Sequence, residues 1–231
     1  DTRGTRPYKY APRLIDTPLT SRLAPSQSNH QHPTMSTQVS NISDETIAEI
    51  ARHYKAIITL LGEDIEREGL IKTPMRAAKA MVYATRGYRQ DADTIINEAI
   101  FTHEGSDMVI VRDIEFYSLC EHHILPFYGK VSIGYIPDGR TIGLSKLARL
   151  VDFYARRLQV QERMTAQICR IVMEKLGAKG VIVACTADHL CMKMRGVEKQ
   201  MSATTTVESA GAFKESASLR EEFFRTLAQG R

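Results

Sequence analysis

The chain contains no run of about eighteen apolar residues, the length a membrane-spanning helix needs, so no membrane span is expected. No charged-then-apolar leader opens it, so no secretory signal is expected and a reducing cytoplasm is the anticipated setting. Cysteine is scarce: four in 231 residues do not make a disulfide scaffold. There is no Cys-x-x-Cys, which sets aside the nucleobase deaminases, whose zinc site carries that pair. No unit repeats at a solenoid period, although a strand–strand–helix–helix layout is loosely duplicated. Charge of one sign is also in short supply. The net charge is +4, and residues 1–34 alone carry +3 through Arg3, Arg6, Lys9, Arg13 and Arg22 against Asp1 and Asp16. The basic balance therefore belongs to the tail and is weak evidence for nucleic-acid binding, which is not expected.

What is present is ordinary for a globular protein, 43% hydrophobic and 25% charged. Proline is concentrated: five of eight lie in residues 1–34, amid Ser, Asn, Gln and His with no apolar period. Such a segment cannot bury enough surface to offset ordering, so residues 1–42 read as a disordered extension, and Met35 reads as a natural start. Ser43 can cap a helix from about Asp44 to Leu61, with Ile47, Ile50, Ala51, Tyr54, Ile57, Ile58 and Leu61 on one face. Thr73-Pro74 reads as an N-cap with Pro at the first helical position, opening a helix to about Thr85. A short helix is expected near 92–99. Strands are expected at Met108–Tyr117, Tyr128–Ile136, Gly180–Ala187 and Ala203–Glu208, with a turn at Pro137-Asp138-Gly139. Helices are expected from Ser145 to about Arg157 and from Val160 to Leu176, the latter stopped by Gly177. A closing helix over Ser216–Ala228 turns Leu219, Phe223 and Leu227 inward. The order implies an α+β fold: a helical region over 43–106, then a domain over 107–231 whose antiparallel sheet carries a helix pair on one face.

Cys120-Glu-His-His123 and His189-Leu-Cys191 supply thiols and imidazoles in two short clusters, the donor types of a zinc site. If Cys120, His123, His189 and Cys191 all bind, the shell is closed and the metal structural, as in a non-enzymatic zinc module with an interaction tail. If only one of the second pair binds, a position stays open for water and the metal is catalytic. If neither reading holds, the cysteines are small core residues and the histidines surface groups. Cys169 and Cys185 sit in helical and strand-like patterns and read as buried bystanders.

Three further segments stand out. Ser145, Lys146 and Arg149 open a helix, whose free N–H groups favour anions such as phosphate; an ordinary N-terminus with solvated charges is the alternative. Gln161-Glu162 begins the next helix; a carboxylate beside an amide can accept from the N1–H and exocyclic amine of guanine, or simply suit a helix N-terminus. Lys193, Arg195 and Lys199 crowd the segment after Cys191, as an anionic substrate would require or as a solvated loop allows.

Taken together, CEHHILPFYGKVSIGYIP, IGLSKLARLVDFYARRLQVQERMTAQI and DHLCMKMRGV resemble the GTP cyclohydrolase I family, from about Ser43 to the closing helix. The resemblance implies hydrolysis of the GTP imidazole ring at C8, formate release and ribose rearrangement to 7,8-dihydroneopterin triphosphate, the first step of folate or tetrahydrobiopterin synthesis. It implies one Zn2+ per subunit on Cys120, His123 and Cys191, with His122 and His189 catalytic and unliganded. It implies guanine recognition by Gln161 and Glu162, and triphosphate binding by Ser145, Lys146, Arg149 and Arg195, with Arg76 and Lys79 nearby. It also implies the tunnelling fold, with subunits closing into a toroidal homo-oligomer, a decamer, whose active sites lie between chains. Asp188 and Lys193 depart from the family pattern without touching these roles.

Overall fold

The structure, a computed structural model, describes residues 42–96, 99–105 and 107–229, all within one unit, Thr37–Arg231. The expected N-terminal extension lies outside the described residues apart from Ile42. Helix α1 (Asp44–Leu60) starts where Ser43 predicts, the Ser43 Oγ accepting from the Thr46 N–H at 3.2 Å. Helix α2 (Thr73–Ala84) differs from expectation, because Thr73 lies inside it and caps nothing. The preceding turn is already hydrogen-bonded, Thr73 N–H to Leu70 O at 2.9 Å, so the Thr73 hydroxyl donates back to Gly69 O at 3.2 Å. Pro74 occupies the first turn, where a missing N–H costs nothing. Packing of α1 on α2 buries Ala51 and Ala78, yet Ile57, Leu60 and Leu61 stay half or more exposed. The apolar face of α1 is thus only partly covered within one chain.

A 3-10 turn (Arg86–Arg89) and helix α3 (Ala92–Ile96) follow. The main sheet has the order β5-β2-β3-β6-β7. Strands β2 (Val109–Cys120) and β3 (Pro126–Ile136) form a long hairpin; β6 (Gly180–His189) pairs antiparallel with β3, and β7 (Thr204–Gly211) with β6. Two-residue β5 (Leu158–Gln159) joins β2 in parallel, a fifth strand too short to show a period in the sequence. A small separate sheet pairs β1 (Ile100–Thr102) with β4 (Arg140–Ile142), also beyond what alternation shows. Strand β2 outruns its expected end by three residues, and a bulge between Val111 and Ile114, with Asp113 at φ 58°, interrupts its alternation, which resumes at Phe116, Ser118 and Cys120.

Helices α4 (Leu144–Ala155) and α5 (Gln161–Leu176) cover one face, α4 over β2 and α5 over β6 and β7, as the helix-pair reading expects. Between them and the sheet lie Phe116, Phe127, Val131, Ile133, Leu147, Leu150, Met164 and Ile168. Full burial of such side chains stabilises by about 1.5–3 kcal/mol each. Gly177, at φ 61°, ends α5 in the left-handed conformation that glycine adopts without strain. The opposite face is not bare. Helices α7 (Ala212–Glu215) and α8 (Ala217–Gln229) set Phe213 and Phe223 on Ile182, with Leu219 and Leu227 packed around them. Among the described residues no helix is long and apolar enough to cross a membrane.

Candidate active site

Because β2 ends on Cys120 and β3 begins at Pro126, the Cys-Glu-His-His segment is the turn of the hairpin. The Cys120 N–H donates to Leu125 O at 2.9 Å and the Ile124 N–H to Cys120 O at 2.8 Å. Ile124 takes φ 56°, uncommon for a β-branched residue and a local strain at the turn that carries the donors. Strand β6 runs beside β3 and ends on His189; helix α6 (Leu190–Lys193) follows at once and carries Cys191. The Cys120, His123 and Cys191 donor atoms consequently all lie within 4.8 Å of one another. Two thiols and an imidazole at that spacing suit tetrahedral zinc. Burial, and then the neighbouring Cys120, push the Cys191 thiol above its ordinary value. A divalent cation reverses that preference by stabilising thiolates, so the donor set fits a metal electrostatically as well as geometrically.

His189 stands apart from the trio. Its Nε2 lies 2.8 Å from Gln161 Oε1, and its ring stacks on Phe127 at 4.7 Å with the planes 5° apart. The register explains the stack, since His189 and Phe127 are directly paired across β6 and β3. Burial holds the His189 pKa below its ordinary value, against the opposing pull of Glu162 and Asp188. The closed four-ligand shell therefore finds no support in this arrangement. His122 is exposed at the turn, its ring centroid 6.2 Å from that of His123.

A clamp unmarked in the sequence fastens the turn. The Glu121 N–H donates to Gln159 O at 3.0 Å, and the Glu121 carboxylate pairs with the Arg163 guanidinium, which holds its pKa down. Arg163 Nε also donates to Gln159 Oε1 at 3.1 Å, and Gln159 is 2% exposed. Glu121, Gln159, Arg163 and Phe127 are side chains that sequence reasoning passed over; only the place of Glu121 inside the Cys-His run hinted at any of them.

The remaining expected residues fall into two groups. Near the trio, Arg195 Nη1 lies 3.0 Å from His123 Nε2, and Glu162 is exposed in the first turn of α5. Gln161 differs from expectation: it is 1% exposed with its amide used internally, so its side chain presents no free edge to a base. Lys193 Nζ reaches Asp188 Oδ1 at 2.6 Å, an ion pair. Ser145 and Lys146 lie in the first turn of α4. The C-terminal end of α4 leads into β5, whose Leu158 and Gln159 pair with Leu119 and Cys120. The first turn of α4 lies at the other end of its 12 residues, about 18 Å along the axis, with Arg149 midway. Arg76 and Lys79 are exposed on α2.

The cysteines give a prediction that needs no turnover. Burial pushes the Cys169 and Cys185 thiols up to about 12, so neither should react with an alkylating reagent at roughly pH 8. In chelator-treated native protein, Cys191 should be alkylated first, then Cys120; one equivalent of zinc should protect both. Peptide mapping by mass spectrometry reads the outcome, and a Cys191 equally reactive with and without zinc would remove it from the ligand set.

Residues 50–228 match the family model for GTP cyclohydrolase I. The GTP cyclohydrolase 1 of Bacteroides fragilis is 55% identical over 188 residues, 81% of this chain and 96% of that protein. A protein of Pseudomonas aeruginosa named GTP cyclohydrolase 1 2 is 55% identical over 178 residues, 77% of this chain and 98% of that one. The GTP cyclohydrolase 1 of Parabacteroides distasonis is 50% identical over 197 residues and is covered in full. With that agreement running through the hairpin turn, the start of α5 and the β6–α6 junction, the chain belongs to the GTP cyclohydrolase I family of enzymes.

Proposed function

We propose that the chain hydrolyses the imidazole ring of GTP at C8 in a zinc-dependent reaction, releases formate and rearranges the ribose to give 7,8-dihydroneopterin triphosphate. This is the opening step of folate or tetrahydrobiopterin synthesis, carried out in the cytoplasm. One observation carries the reading: Cys120, His123 and Cys191 converge while His122 and His189 remain beside them outside the donor set. Cys120, His123 and Cys191 would hold the zinc, which when bound would acidify water to a nucleophile near neutral pH. Purine C8 is a poor electrophile until N7 is protonated, and a histidine gives that proton near neutrality. His122, exposed at the turn, is the proton-transfer group for ring opening; His189 serves the ribose steps. The Glu162 carboxylate accepts from guanine N1–H and the exocyclic amine. Arg195, Ser145, Lys146 and Arg149 hold the triphosphate, with Arg76 and Lys79 beside it. Incubation with GTP and zinc, with formate and pterin followed together, tests the reading.

We further propose that a complete site needs more than one chain, in a toroidal homodecamer of the tunnelling fold. The helical region 43–106 and the domain 107–231 each contribute to it. The length of α4 supports this, because its first turn, with Ser145 and Lys146, lies about 18 Å along the helix axis from the end that leads to β5 beside Cys120. So do the open edge of β7 and the uncovered apolar face of α1, features that invite pairing between chains. Mixing His122→Ala with Arg149→Ala protein should restore part of the activity that each lacks, because hybrid rings contain some sites free of both changes. No rescue despite demonstrated subunit exchange would contradict the shared site.

A further inference from the structure

Gln161, at the first turn of α5, is almost fully buried, and its environment fixes which way its amide points. Nε2 lies 3.1 Å from Cys185 O, 3.1 Å from Thr204 O and 3.2 Å from Thr206 Oγ1. Turned over, the amide oxygen would face two carbonyl oxygens in the protein interior, with no donor between them. The neighbouring hydroxyls run in the same sense. Thr165 Oγ1 donates to Gln161 O at 2.8 Å, so it accepts from Thr206 Oγ1 at 2.7 Å, which leaves the Thr206 oxygen to accept from the Gln161 amide. Gln161 Oε1 is thereby committed to His189 Nε2 at 2.8 Å. An amide oxygen only accepts, so that ring nitrogen must be the donor.

We propose that Gln161 is a positioning residue that fixes His189 in its Nε2–H tautomer, leaving Nδ1 as the nitrogen with the free lone pair. The stack on Phe127 holds the ring plane, and the Gln161 bond sets which nitrogen faces away from the core. The consequence for the reaction rests on the function proposed above. His189 then meets the ribose through Nδ1, with Nε2–H held on Gln161 Oε1. Gln161 thus acts through His189, and reading of the guanine edge falls to Glu162.

The tautomer can be read directly. Two-bond 1H–15N correlation spectra of the histidine-labelled, zinc-loaded full chain, taken at roughly pH 8 so that ordinary histidines are neutral, resolve protonated from unprotonated ring nitrogens. The His189 signals are those missing from His189→Asn. The expected pattern is a protonated Nε2 and an unprotonated Nδ1; a protonated Nδ1 in the parent protein would overturn the proposal. In Gln161→Met the two tautomers should interchange, and kcat should fall by about 10²-fold, the cost of misplacing a reacting group by about 1 Å, with KM for GTP unchanged. A raised KM with kcat preserved would mean that the amide reads guanine after all. If Gln161→Met does not fold, the parent spectrum still decides. Failure to release formate from GTP sinks the proposed reaction and leaves the tautomer assignment standing, so the two can fail separately.

Discussion

His122→Ala should slow imidazole ring opening by about 10²–10⁴-fold, the usual worth of a general acid–base group, while zinc content and assembly stay those of the parent. The expectation follows from the hairpin turn. Cys120 and His123 point their donor atoms toward Cys191, and His122 lies between them in sequence but outside the set. Its exposure leaves it free to meet a substrate rather than to pack. Two thiolates cancel the charge of a divalent ion, so a neighbouring base matters more here than at a three-histidine site. Elemental analysis of the variant separates the roles: if zinc is lost together with activity, His122 is a ligand and the assignment of the two adjacent histidines is reversed.

Glu162→Gln should lower kcat/KM for GTP by about 10²-fold or more. The amide keeps one acceptor but sets a donor against a guanine donor, and a single hydrogen bond to a charged group is worth about 1.5–3 kcal/mol. The same carboxylate should make the parent enzyme selective. Adenine offers no matching donor pair, so ATP should be used about 10⁴-fold less efficiently than GTP. Comparable turnover of the two nucleotides would remove Glu162 from base recognition. The neighbouring Gln161 should not behave alike, since its effect falls on kcat through His189.

The layout of the chain was legible because each element announces itself locally. Ser43 caps α1, Gly177 stops α5, and β3 and β6 fall within two residues of their expected ends. The elements that escaped are those with no local signal. Strand β5 has two residues, and β1 and β4 three each. Thr73 looked like a cap because Pro followed it, but the hydrogen-bonded turn before it is not encoded in either residue. At the site, donor types and spacing gave the Cys-His clusters but left open whether His189 joins them; the trio was what the family resemblance implied, and its donor atoms converge in the structure. The internal bonds of the Gln161 amide could not be read: its neighbours are the Cys185 and Thr204 carbonyls and the Thr206 hydroxyl, brought to it only when β6 and β7 pair beneath α5. The separation of Ser145 from Cys120 was equally hidden, because it depends on the direction in which α4 crosses β2.

The most direct test of the whole account is a balance of products. Purified, zinc-loaded full-length protein is incubated with GTP, formate is measured alongside the oxidised pterin by absorbance and fluorescence, and the experiment is repeated after chelation and after zinc is returned. The account predicts one formate for each pterin triphosphate, loss of both on chelation and recovery of both with zinc. GTP recovered unchanged by the loaded protein, or formate released equally by the stripped protein, would contradict it.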